Sequence, residues 1–330
     1  MTNWDLEYIK LCRKILTEGV EVENRTGINT IKIPSYYLHF DLQKEFPVLQ
    51  SKQLYFRQAI LEMLWIYQAQ SNDVRWLQER GIHIWDEWQI DSEGKWKAMQ
   101  NVLNKDGQIE KKEVETIFDK KYAYTIGTAY GYIVKKFHLI DKLIGKIKNN
   151  PTDRRMLMSL WQDDYLDTAV LPSCVWASEW DVTDDKLNLL VHQRSCDVPL
   201  GLPFNVTQYA CLLSLIAKVC DLKPGTIDWS IKDAHIYVNQ KEGIEEQIKR
   251  YEIYNDLKNE PKELLIMLKE NIKDEKISKI IDLILDKDKP ELWINEDIKS
   301  FYKFDNSKDC RDIKIKKYKH AGPIKMPIAK

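Results

Sequence analysis

Between Leu171 and Asn205 the chain gathers a thiol, a guanidinium, a hydroxyl, a carboxylate and an amide within 35 positions. The run Leu171-Pro-Ser-Cys174-Val is followed, one strand-like stretch later, by Gln193-Arg194-Ser195-Cys196-Asp197-Val-Pro-Leu-Gly201-Leu-Pro-Phe-Asn205. Those types suit attack on an electron-poor ring held by an anionic handle. Cys174 follows Leu-Pro-Ser at the start of a strand, where a side chain can face a cleft. A free thiol titrates near ~8.5, and a nearby cation raises its thiolate fraction. Arg194, one strand further on, can supply that cation. A lone cysteine is more commonly a small buried hydrophobe; Cys12, Cys196, Cys211, Cys220 and Cys310 are read that way.

The other chemistry-bearing positions each have two readings. Arg194 and Ser195 offer a fork of donors plus a hydroxyl, suited to a phosphate. Arg154 and Arg155, beside Asp153, form a second basic pair, and Arg25 sits in a turn. The three sites can converge on one dianion, across a subunit boundary included, or remain surface ion pairs of little energetic weight. The Asn205 amide carries both a donor and an acceptor, which matches the N3–H and O4 edge of a uracil. An Asp there would select the cytosine edge. Asn205 is also placed to cap the helix that follows it. Asp233-Ala-His235-Ile-Tyr237 alternates, so its polar side chains share one strand face and can bond a sugar hydroxyl. Glu62 lies inside an apolar helix with no evident basic neighbour, an unusual place for a carboxylate.

The elements that must hold these groups mix strands and helices. Leu6, Ile9, Leu11, Cys12, Ile15 and Leu16 recur at helical spacing over 4–18. A turn at 24–27 precedes two strand-like runs, 30–33 and 37–40. A buried helix spans 53–68, a loop 81–88 and a helix 129–147. Strand-like runs at 155–161, 173–182, 186–195 and 226–238 enclose a helix at 204–220. Residues 92–121 are a polar surface excursion, and 240–290 a helical one broken at Pro261. Without regular βαβ alternation, the class is α+β.

Composition narrows the function. The chain has 330 residues, 44% apolar and 31% charged, enough for a sizeable core. A net charge of -1 gives no electrostatic case for nucleic acid or an anionic membrane. No apolar run approaches the ~20 residues of a membrane span, and the N-terminus lacks the apolar core of an export signal. Six cysteines without CxxC pairing fit free thiols in a reducing, cytoplasmic setting. No His/Cys/carboxylate cluster has metal-ligand spacing.

Taken in order, Arg25-Thr-Gly, Glu62-Met-Leu-Trp, Ile84-Trp85-Asp-Glu-Trp88, Tyr130-Gly131, Asp153-Arg-Arg155, Leu171-Pro-Ser-Cys174, Gln193-Arg-Ser-Cys-Asp197, Gly201-Leu-Pro-Phe-Asn205 and Asp233-Ala-His-Ile-Tyr237 resemble the thymidylate synthase family. The resemblance covers about residue 5 to the tail, one catalytic domain over 1–330 with insertions at 92–121 and 240–290. It implies a large mixed β-sheet packed with helices, a homodimer joined through a sheet face, and conversion of dUMP with 5,10-methylenetetrahydrofolate. Carried over, Cys174 adds to C6 of the uracil, Glu62 organises water and protons near O4, and Tyr130 helps remove the C5 proton. Arg25, Arg194 and Ser195, with Arg154 and Arg155 from the second subunit, hold the 5′-phosphate. Asn205 reads the ring edge; His235 and Tyr237 take the 3′-hydroxyl. Lys52, Ile84, Trp85, Trp88, Leu171, Asp197, Leu200, Gly201, Phe204 and Ala329 form the folate side.

Three departures bear on the product. Val175 stands where the family usually has His, Pro199 where it has Phe, and Lys330 ends a tail that otherwise keeps the Ile-Lys-x-Pro-x-Ala pattern. That tail is a lid in the family, and a leaky lid would favour a 5-hydroxymethyl product over methyl. Trp85, the family's shield of the intermediate, is retained. A uridylate hydroxymethylase and a catalytically inactive nucleotide- or RNA-binding relative are the alternatives.

Overall fold

A computed structural model describes residues 1–103, 109–286 and 288–328. Ala329 and Lys330 therefore lie outside the described residues. Helix α1 (Asn3–Glu18) starts at a capping box: the Thr2 hydroxyl accepts from the Asp5 amide while Asp5 accepts from the Thr2 amide. The same buried Asp5 carboxylate takes the amides of Gln50 and Ser51, which fastens the segment carrying Lys52. Strand β1 (Val20–Val22) and the long β2 (Thr30–Asp41) follow. The two runs expected at 30–33 and 37–40 form one strand across Pro34. Proline has no N–H to give, and the pairing steps from Ile33–Ala234 to Ser35–Lys232, with Asp233 opposite at φ +53.

Helix α2 (Phe56–Tyr67) carries Glu62, and a single turn α3 (Arg75–Gln78) leads to the Trp85–Trp88 loop. The excursion at 92–121 holds a hairpin, β3 (Lys95–Leu103) and β4 (Ile109–Ile117). The helix expected over 129–147 is two helices, α4 (Gly131–Phe137) and α5 (Leu139–Asn149). They break at His138, whose left-handed φ of 52 no helix continues through. Then come β5 (Leu157–Ser159), β6 (Val175–Thr183), β7 (Lys186–Gln193), β8 (Cys196–Asp197), α6 (Gly201–Val219) and β9 (Lys223–Tyr237). The second excursion is three helices, α7 (Lys241–Leu257), α8 (Lys262–Asn271) and α9 (Glu275–Leu285). Besides the break at Pro261, a second falls before Asp274, which caps α9. Strands β10 (Glu291–Ile294) and β11 (Ile313–Lys316) pair before an extended tail.

The main sheet has seven strands in the order β1-β2-β9-β7-β6-β5, with β8 also on β9. The β7–β9 and β8–β9 pairs are parallel and the others antiparallel, so the sheet is mixed. Helices α1 and α6 pack against the sheet, and α2 lies against α6. Helix α6 is long and apolar enough to cross a membrane, contrary to the expectation that no run would be. Its apolar residues are spent on the core, where Leu212, Leu213, Leu215, Ile216 and Ala217 are fully buried. The opposite sheet face stays open: Tyr37, His39, Trp176, Glu179 and Lys232 are exposed there.

Candidate active site

Cys174 sits at the residue before β6, where the chain leaves the loop and enters the sheet. Three contacts fix it. The Arg194 amide donates to the Cys174 carbonyl at 2.9 Å, and the Cys174 amide donates to the Tyr130 hydroxyl at 3.1 Å. The Arg194 guanidinium donates to the carbonyls of Ser173 (3.0 Å) and Pro172 (2.6 Å), which clamps the Leu171–Cys174 loop. Burial pushes the thiol up from its ordinary value, while Arg194, a hydrogen bond from Tyr130, and Arg25 pull it back down. Arg194 is the cation that sequence reasoning placed near the thiol; Arg25 was read there only as a phosphate site.

Tyr130 ends the loop before α4 with φ +47, a conformation rare for a bulky residue. Its neighbour Gly131 has no room for a side chain: a Cβ would lie 2.0 Å from the Ser71 carbonyl oxygen. The Tyr130 ring stands 5.4 Å from Trp85, which is itself 5.5 Å from Trp88 and 5.9 Å from Trp65. The Trp85 indole donates to one Glu62 carboxylate oxygen at 2.7 Å, and the Gln208 amide donates to the other at 2.7 Å. Among the described residues no cation bonds Glu62, and burial pushes its pKa up to about 7. A carboxyl poised there can give or take a proton near neutrality.

Asn205 is the fifth residue of α6, inside the helix, so it does not cap it as its sequence position allowed. Its Oδ1 accepts from Gln193 at 3.3 Å and its Nδ2 donates to Gln208 at 3.3 Å. Asp197 accepts the Leu200 amide at 3.1 Å, and burial raises its pKa. A Cβ on Gly201 would point between Asp197 and Asn205, at 3.7 and 3.8 Å. The His235 ring stands 5.2 Å from Tyr237, with Nδ1 against the Asp233 carbonyl at 2.9 Å. Burial pushes Tyr237 up to about 12, with Asp197 and Cys174 adding to the rise and Arg25 opposing it.

Lys52 is buried, its ammonium donating to the Pro199 carbonyl, and burial lowers its pKa to about 8. Ile84, Trp88, Leu171 and Phe204 are half-buried against the core. Arg25, Trp88, Trp96 and tail residue Ile328 line a cavity of about 370 Å³. Arg154 and Arg155 are the residues the fold does not bring together with the rest. Both are exposed, and Arg155 is held by Asp153 at 2.9 Å. Leu157 pairs with Glu179, so the arginines stand beside the end of β6 remote from Cys174. Seven residues of strand are ~23 Å. Sequence reasoning singled out neither Gln193 nor Gln208 as functional, although Gln208 lies one helical turn from Asn205, within side-chain reach.

A buried thiol near arginines, a near-neutral carboxyl and an amide edge lie around one end of a mixed sheet, a set of groups suited to an enzyme that works through a nucleophile. Comparison with known proteins gives the family. A model of thymidylate synthase matches residues 6–282. A thymidylate synthase of Clostridium beijerinckii is 40% identical over 329 residues, covering all of both chains. One of Bacillus licheniformis is 31% identical over 348, again over all of both. The solved thermostable thymidylate synthase A of Bacillus subtilis shares 29% identity at a TM-score of 0.72, covering 98% of this chain and 99% of that one. The chain belongs to the thymidylate synthase family, and it is a methyltransferase.

Proposed function

We propose that the chain methylates C5 of dUMP to give dTMP, with 5,10-methylenetetrahydrofolate as co-substrate. The observation that carries this reading is the Cys174 thiol held between Arg194 and the Tyr130 hydroxyl, one aromatic ring away from the Trp85–Glu62 pair. The sulfur electron pair forms a bond to C6, and the C5–C6 π pair moves onto C5 and O4, making C5 a carbon nucleophile. Glu62 relays protons at the O4 side through water, and the Tyr130 hydroxyl assists removal of the C5 proton. Once C5 carries the folate's one-carbon unit and has lost its proton, hydride addition to that carbon would restore the C5–C6 double bond and expel the thiolate.

Arg25, Arg194 and Ser195 hold the 5′-phosphate, completed by Arg154 and Arg155 from a second copy across the open sheet face. Asn205 reads the ring edge, and His235 with Tyr237 the 3′-hydroxyl. The folate side fits a flat heterocycle: Trp85 and Trp88 offer ring faces, and Asp197 keeps acceptor capacity beyond its bond to Leu200. When bound, the folate supplies the one-carbon unit and the hydride. Lys52, Ile84, Leu171, Leu200, Gly201 and Phe204 shape the rest of that wall. All six cysteines are free, which suits a reducing cytosol.

Incubation of dUMP and methylenetetrahydrofolate with the protein, products resolved by mass, tests the reading. Methylated nucleotide with dihydrofolate is expected. Hydroxymethylated nucleotide with tetrahydrofolate would overturn it in favour of hydration. Cys174→Ala should abolish turnover while nucleotide binding survives, and near-normal turnover would remove the assigned nucleophile.

A further inference from the structure

The site contains a chain of five hydrogen bonds whose direction is set at its ends. The Trp229 indole, which can only donate, gives its N–H to Gln193 Oε1 at 2.9 Å. Gln193 Nε2 then donates both to the Ser195 carbonyl (3.1 Å) and to Asn205 Oδ1 (3.3 Å). Asn205 Nδ2 donates to Gln208 Oε1 at 3.3 Å. Gln208 Nε2 donates both to the Ala59 carbonyl (3.2 Å) and to Glu62 (2.7 Å). The Trp85 indole closes the far end on the other Glu62 oxygen.

Neither glutamine can turn over. Rotating Gln208 would set its carbonyl against the Ala59 carbonyl and the Glu62 carboxylate, two acceptors facing an acceptor. Rotating Gln193 would do the same at Ser195 and set its NH2 against the indole N–H. Both glutamines are buried, where water offers no substitute partner. Asn205 is therefore held with oxygen toward Gln193 and nitrogen toward Gln208. One Oδ1 lone pair and one Nδ2 hydrogen remain for a ligand. That edge meets a ring N–H beside a C=O; the cytosine edge, a ring N beside an NH2, needs the opposite polarity.

We propose that Gln208 is a positioning and specificity-determining residue: it locks the amide polarity of Asn205 against the cytosine edge and, through its other end, holds the Glu62 carboxylate in place. The inference rests on the roles given above to Asn205 and Glu62. It assigns the discrimination between the two rings to a residue that touches neither.

Two variants of Gln208 separate its two ends. Gln208→Leu removes both, leaving Gln193 as the one anchor of the Asn205 amide polarity. The dUMP-to-dCMP ratio of binding constants should fall about tenfold, the weight of roughly one hydrogen bond, and the acid limb of kcat/KM should move to higher pH as Glu62 loses a donor. Gln208→Glu keeps a carbonyl-type acceptor for Asn205 and should retain selectivity within about twofold, while the pH limb still rises. Thermal melting confirms that each variant is folded. A Leu variant with the wild-type ratio and pH profile, or a Glu variant as unselective as the Leu variant, would overturn the proposal. Asn205→Asp is the control on the underlying reading. If it fails to shift preference toward dCMP, the role of Asn205 itself falls; if it shifts preference and Gln208→Leu does not, only the locking by Gln208 falls.

Discussion

Glu62 shows how a single carboxyl is tuned by what surrounds it. An indole and an amide donate to it, no cation among the described residues bonds it, and burial raises it from the ordinary carboxylate range to about 7. Two consequences follow. The pH profile of kcat/KM should show an ionisation near 7 that disappears in Glu62→Gln, leaving a small residual rate; a profile flat from pH 5 to 9 in the wild type would exclude it. Stability should also respond. In the unfolded chain the carboxyl loses its proton at its ordinary pKa, whereas the folded chain retains it to about 7. Between those values the native state binds more protons, so stability falls as pH rises through the window, by roughly 3 kcal/mol for such a shift. Glu62→Gln should remove that loss and melt at higher temperature than wild type at pH 8, with the advantage vanishing near pH 4.

At the scale of elements, helix α7 fastens the tail. Arg250 is buried and donates to the carbonyls of Ala321 and Gly322, both at 3.0 Å, while Glu246 pairs with it at 2.9 Å. Gln240 donates to the Pro327 carbonyl at 3.0 Å, and Met326 lies where a side chain on Gly243 would stand. Arg250→Ala should free the tail that reaches the cleft at Ile328. KM for the folate should rise several-fold with a smaller change in KM for dUMP, and stability should drop by about 2 kcal/mol as the tail carbonyls lose a buried, charged donor. An unchanged folate KM would mean the tail does not cover that side. Gly131→Ala should be poorly folded, because its methyl group would meet the Ser71 carbonyl; a wild-type melting curve would contradict this.

These elements differ in how far the sequence announces them. Helix α1 is legible because its apolar spacing and its Thr2–Asp5 cap agree. The Gln193–Asn205 segment is legible because its residue types are chemically unusual and close together. The purpose of the 240–290 excursion is not, since Arg250 meets its carbonyl partners only across some 70 residues of chain. Neither is the role of Gln208: an apolar helix with one amide reads as core until Glu62, 146 residues away, is seen beside it. The break at His138 and the continuity of β2 through Pro34 depend on backbone dihedrals that pattern alone does not specify.

For the whole molecule the open sheet face matters most. It carries Tyr37, 59% exposed, and Trp176, 38% exposed, beside the His192–Glu179 and His39–Asp228 pairs. An apolar and paired-charge face of this kind suits a second copy of the chain. The strand register keeps Arg154 and Arg155 about seven residues, ~23 Å, along β6 from Cys174. A site that uses them must therefore borrow them. Trp176→Glu should yield monomers by sedimentation and lose turnover. Mixing inactive Cys174→Ala with an inactive Arg154→Ala/Arg155→Ala double variant should restore about a quarter of wild-type activity after subunit exchange, because random pairing leaves one intact site in half the dimers. No restoration would place the arginine pair outside the site.

The tilted and edge-to-face cluster of Trp65, Trp85, Trp88 and Tyr130 also makes the cleft report on itself. Trp85 shares its indole proton with a group that changes charge near neutrality, so its emission should shift with that charge, and a light signal absent from Glu62→Gln would follow the catalytic proton in real time.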